Sequence, residues 1–134
     1  MTPRKLVEPP PFESWANQWT VLGNSAVVQA AELHGLFQGF LESLETLRRS
    51  QTTIAMHTGH LWILGTEIMA FFQVSATNQA RGIEWYFATC MPNGEGPAPK
   101  YLLKQKVELR AYQGTCQQLV KYIRGRKMAG LPIH

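Results

Sequence analysis

Apolar residues recur at steps of three and four near the start of the chain and again near its end, and bunch into short runs between. Leu33, Leu36, Phe37, Phe40, Leu41, Leu44 and Leu47 keep the helical step and predict one helix over about residues 26–49. Ser25 stands where an N-cap belongs, and Arg48-Arg49 put positive charge at the negative end of the helix dipole. Upstream, Trp15, Trp19 and Leu22 at i, i+4 and i+7 suggest a short helix carrying two indoles inward, although QWTVL also reads as a strand. Gly23-Asn24 breaks it.

From Thr52 to Cys90 the pattern changes. Thr52-Thr53-Ile54, Leu61–Leu64, Ile68–Val74 and Ile83–Ala88 are short runs rich in aromatic and branched residues, punctuated by Gly59, Gly65 and the stretch Thr77–Gly82. Runs of that length bounded by turn residues favour an antiparallel β-meander. Continuous apolar runs do not separate strand from buried helix, so Leu61–Val74 also reads as one helix, which would make the fold mainly α. MPNGEGPAP, residues 91–99, is a loop, with Lys100–Leu103 placed to pair back on Trp85–Thr89. A helical period returns over about 105–125. The expected fold is therefore α+β: a long N-terminal helix, a short antiparallel β-meander and a C-terminal basic amphipathic helix. The proline-rich residues 1–12 read as a tail before a single domain, 13–134.

Within the first long helix, Ala31, Gly35 and Gly39 form a ridge with almost no side chain. A mid-helix glycine costs about 1 kcal/mol against alanine, so close approach of another backbone is the natural compensation. That neighbour is either the sheet of the same subunit or a helix of a second copy.

Composition narrows the chemistry. With 45% apolar and 16% charged residues the chain should fold, and its 134 residues suit one domain. All nine acids are Glu, which excludes any site built on aspartates. Cys90 and Cys116 form no CxxC or CxxH pattern. Charges and prolines occupy the N-terminus where an export signal would carry an apolar run, so the expected compartment is the cytoplasm, or the nucleus of a eukaryote, with reduced thiols. The longest apolar stretch, Leu61–Val74, is too short to span a bilayer, so no membrane partner is expected.

Charge is unevenly divided. Residues 1–99 carry five Lys/Arg against eight Glu, whereas residues 100–134 carry eight against Glu108 alone. On a helical projection, Leu109, Tyr112, Cys116, Leu119, Val120 and Ile123 share one arc, the core face. Beside it run Lys106, Arg110, Gln113, Gln117, Lys121 and Arg124, with Arg126 and Lys127 extending the charge. Ordinary solvated faces mix signs to gain i,i+4 pairs, and this row does not. Lys and Arg release counterions from phosphates, and Gln can bond phosphate or adenine, so the row fits nucleic acid. The expected function is a small nucleic-acid-binding protein, DNA or RNA, acting as an accessory subunit of a nucleoprotein complex. The alternative is a non-enzymatic adaptor or inhibitor on an acidic protein surface, which the apolar tail MAGLPIH would also suit.

Reaction chemistry is sparse. His57 and His60 in HTGH have no second ligand pair, so no metal is expected. Cys116 falls on the core arc as a buried thiol. Glu67 interrupts an apolar run and is the one candidate acid–base carboxylate, more simply an outward position beside a turn. No Gly-rich phosphate motif is present, and neither an enzyme nor a cofactor is expected. Trp62, Trp85, Tyr86 and Phe87 could stack bases if exposed on a sheet, but core packing accounts for them as well.

Overall fold

In the computed structural model, which describes residues 8–20 and 26–128 (Met128 by its backbone alone), a 3-10 turn at Phe12–Ser14 is followed by six α-helices. These are α1 (Trp15–Trp19), α2 (Val27–Thr46), α3 (Gln51–Gln73), α4 (Ala76–Cys90), α5 (Lys100–Leu103) and α6 (Lys106–Met128). Among the described residues there is no strand. Helix α3 is the centre of the bundle and packs against α1, α2, α4 and α6.

This overturns the α+β expectation and its β-meander. Residues 51–73 form one helix because Ser50 caps it, its Oγ accepting from the Thr53 N–H at 3.1 Å, and because no proline interrupts it. Its buried positions are His57, His60, Leu61, Ile63, Leu64, Gly65, Ile68, Met69 and Phe72. Apart from Ile63, they step by three and one, a helical stripe that emerges only when the two histidines and Gly65 are counted as interior. A helix enclosed by neighbours loses the polar face that would have betrayed its period. Trp85-Tyr86-Phe87 likewise lie on α4, and Lys100–Leu103 is a helical turn rather than a returning strand.

Gly65 does not punctuate; it makes room. A Cβ there would fall 2.8 Å from Trp19 Cη2 and 3.0 Å from Phe37 Cε2. Trp19 and Phe37 are both buried, so neither ring can step aside cheaply. Gly65→Ala should therefore cost about 1–3 kcal/mol of stability. Denaturant unfolding checks this, with Gly59→Ala as control, since a Cβ at Gly59 meets nothing within 4 Å. Gly82 is a true break: its φ of 79° and ψ of 166° divide α4 into two helical pieces, a conformation open essentially to glycine alone.

Helix α2 ends three residues before the expected boundary. Arg49 N–H bonds Leu44 O at 3.1 Å and Arg48 N–H bonds Glu45 O at 2.9 Å, while Arg48 takes a left-handed φ of 57°. That is a Schellman termination with arginine where glycine is usual. The expected N-cap Ser25, Leu22, the Gly23-Asn24 break and the tail beyond Met128 lie outside the described residues. At the other end, Phe12 is half-buried between the Trp15 and His34 rings, and Trp15 Nε1 donates to Pro10 O at 2.9 Å. Ala31 is exposed and Gly35 half-buried on α2. At Gly39 the close neighbour is Tyr122 of the same chain, whose hydroxyl would lie 2.6 Å from a Cβ.

Candidate functional site

Helix α6 presents three kinds of surface. Tyr112, Cys116, Leu119, Val120 and Ile123 are buried, with Leu109 half-buried beside them, as the helical projection requires. The basic row runs alongside, and the structure divides it into open positions and occupied ones.

The middle holds the 91–99 loop against the helix. Gln113 grips Gly96 in both directions, Oε1 accepting from its N–H at 2.7 Å and Nε2 donating to its carbonyl at 2.9 Å. Tyr112 Oη donates to Pro97 O at 2.5 Å, and Arg124 Nη2 to Pro92 O at 2.5 Å. The loop lies so close that a Cβ at Gly94 would sit 3.1 Å from Gln117 Cα, and one at Gly96 would sit 2.7 Å from Cys116 Sγ. Gln113 is therefore taken up inside the chain, whereas Gln117 keeps an exposed side chain. At the C-terminal end Lys127 pairs with Glu84 at 2.9 Å, and Arg126 lies over the Tyr122 ring at 5.6 Å. Both members of the Lys127–Glu84 pair are well exposed, so the pair is worth little and is easily exchanged.

Lys106, Arg110 and Lys121 are exposed, and none has a hydrogen-bond or ion-pair partner among the described residues. With Arg124 they mark one edge of α6 about 27 Å long, at 1.5 Å rise per residue. The acids collect elsewhere: a groove of about 520 Å³ beside α2 and α3 is lined by Glu13, Glu42 and Glu45 together with His34. A second groove, of about 220 Å³ between α4 and α6, has Phe87, Val120 and Ile123 in its lining, with Glu84, Arg124 and Lys127 as its charged members.

Trp62, Trp85, Tyr86 and Phe87, the aromatics that the sequence offers for stacking, give no free platform. Tyr86 and Phe87 are buried, Trp62 sits against Trp15 and Trp19, and Trp85 stacks on Phe71 with the Arg81 guanidinium 4.5 Å from its ring.

A polar cluster that the sequence reading missed lies under α6. His57 and His60 are one turn apart on α3, and the Nδ1 of each is 2.7 Å from the Thr115 Oγ. His57, His60 and Thr115 are 3%, 5% and 1% exposed. The hydroxyl carries one hydrogen, so at least one ring must be the Nδ1–H tautomer and donate to it. Burial holds the His57 pKa below its ordinary value, helped by the Arg49 charge; burial, with His57 adding to it, lowers that of His60 to about 4. Both rings are thus neutral near pH 7. A hydroxyl between two imidazoles has the parts of an activated nucleophile. Thr115 is buried, and through it the cluster ties α3 to α6.

Among the described residues no group of three His, Cys or Glu could share a metal ion. Cys116 is a buried thiol, pushed up to about 12 by burial, and Cys90 is exposed. Glu67 is half-buried on α3, and its charge adds to burial in raising the pKa values of Tyr86, Tyr101 and Tyr112. No described helix is long and apolar enough to cross a membrane. No family model matches the chain, and no curated protein or solved structure matches it either.

Proposed function

We propose that the chain is a small helical nucleic-acid-binding protein that contacts phosphates through the exposed edge of α6. The observation that carries this reading is the set Lys106, Arg110, Lys121 and Arg124, exposed along one edge that holds no acid. Three of the four have no partner among the described residues, so none of those residues neutralises their charges. Cations in that state can displace the counterions condensed on a phosphate backbone, and this release drives binding that does not depend on sequence. The edge is about 27 Å long, which matches about eight base pairs of duplex or a comparable stretch of single strand. Gln117 adds an exposed amide on the same edge, and Lys127 can exchange Glu84 for a phosphate. An accessory place in a larger nucleoprotein assembly would suit a chain whose site offers phosphate contacts and no reaction chemistry.

The test uses residues without a structural task. Arg110→Glu with Lys121→Glu should lower affinity for duplex and single-stranded oligonucleotides at least about tenfold and flatten the salt dependence by about two counterions. Fluorescence anisotropy over a salt series reads both. Wild-type protein that fails to bind any oligonucleotide, or a reversed variant that binds like wild type, would overturn the reading. A nuclease-resistant acidic protein partner in place of oligonucleotide binding would favour the adaptor instead.

A further inference from the structure

The largest fractional exposures of apolar side chains near the basic end cluster at one corner. Tyr101 is 46% exposed, Leu103 55% and Val107 78%, all within the junction of α5 and the first turn of α6. Lys100 and Lys104, also exposed and without a partner among the described residues, stand among them. The corner is held firmly. Leu102 is fully buried and anchors α5 to the core, Leu102 N–H bonds Pro99 O at 3.0 Å, and Gln105 N–H bonds Leu102 O at 3.0 Å. With Leu102 turned inward, its neighbours Tyr101 and Leu103 are held outward.

Aliphatic side chains standing among lysines ask for a partner that is both anionic and apolar within a few ångströms of depth. A nucleic acid would take the lysines and could stack a base on Tyr101, but it offers nothing to Leu103 or Val107. A bilayer bearing anionic headgroups offers both: phosphates and carboxylates at the level of the ammonium groups, and hydrocarbon just below for the leucine, the valine and the tyrosine ring. Tyrosine also suits the interface itself, having an apolar body and a polar tip. No spanning helix is needed for contact of this kind.

We propose that the α5–α6 corner, Lys100, Tyr101, Leu103, Lys104 and Val107, is a peripheral docking surface for an anionic lipid bilayer. It uses residues other than Lys106, Arg110, Lys121 and Arg124 and does not depend on nucleic-acid binding.

The test is co-sedimentation of the full chain with vesicles of phosphatidylcholine alone and with about a third phosphatidylserine. Wild type should partition onto the anionic vesicles and not the neutral ones, less so as salt rises. Leu103→Ser with Val107→Ser should lower that partition at least about tenfold. Both side chains are exposed, so helical content and unfolding midpoint should hold, which separates lost docking from lost fold. Oligonucleotide affinity of this variant should equal that of wild type. The proposal is overturned by wild type that stays in solution with anionic vesicles, by a serine variant that still partitions, or by oligonucleotide affinity falling in parallel with vesicle binding.

Discussion

Replacing Thr115 with valine should lower the free energy of unfolding by about 2–5 kcal/mol. Valine keeps the shape and removes only the oxygen that both histidines reach at 2.7 Å. Two buried Nδ1 atoms would then face each other with nothing between them, and each unsatisfied buried group costs about 1–3 kcal/mol. Rotating the rings away is not open to them, because Phe40 packs edge-on against His57 and Tyr112 against His60. Thr115→Ser supplies the control: it keeps the hydroxyl and loses one methyl, worth about 1 kcal/mol. Denaturant midpoints for the three proteins decide the matter. If valine and serine variants unfold together, the oxygen is not what joins α3 to α6.

That cluster also shows where the sequence was legible and where it was not. Helix α6 could be read to within three residues at its ends, because its core arc and its basic row differ in kind and both keep the helical step. Thr115 escaped attention because it sits at the margin of the core arc, beside the residues that define it. His57 and His60 are hidden for a second reason: with Gly59 read as punctuation between short runs, their i, i+3 spacing means nothing, whereas on α3 it puts both rings on one face. The same misreading made Gly65 a strand boundary instead of the seat of the Trp19 and Phe37 rings. Enclosure on several sides removed the amphipathic signal that had exposed α2 and α6.

The basic row was legible as composition and misleading as a surface. Its two central members are glutamines, which is the one local hint that the middle differs from the ends. Gln113 spends both ends of its amide on Gly96, seventeen residues upstream. No periodicity connects a loop glycine to a helix glutamine, so only the fold brings that pair together. What remains open is a shorter set of cations than the projection gives, and the charge-reversal test is aimed at that set.

Acidification from neutral pH should weaken the fold, and the His57–Thr115–His60 cluster is the reason. An unfolded chain carries histidines of ordinary pKa near 6.5, while burial lowers His57 below that value and His60 to about 4. Below pH 6.5 the unfolded chain therefore binds protons that the folded chain refuses, and stability falls as pH falls. For His60 the loss begins near pH 6.5, grows until about pH 4 and then levels off, because below that both states hold the proton. A gap of that size corresponds to a loss on the order of 3 kcal/mol, with His57 adding in the same direction. The groups packed about the pair offer no rescue: Thr115, Phe40 and Tyr112 are neutral, and Arg49 opposes a second positive charge. Stability measured by urea unfolding at half-unit steps from pH 7 to 4 should decline steadily, most of it between pH 6.5 and 5 being due to histidine. His60→Asn, whose amide can meet the Thr115 hydroxyl but cannot take up a proton, should start less stable at pH 7 and lose less on acidification. A wild-type profile flat from pH 7 to 5, or an asparagine variant that declines as steeply, would remove the buried pair as the cause.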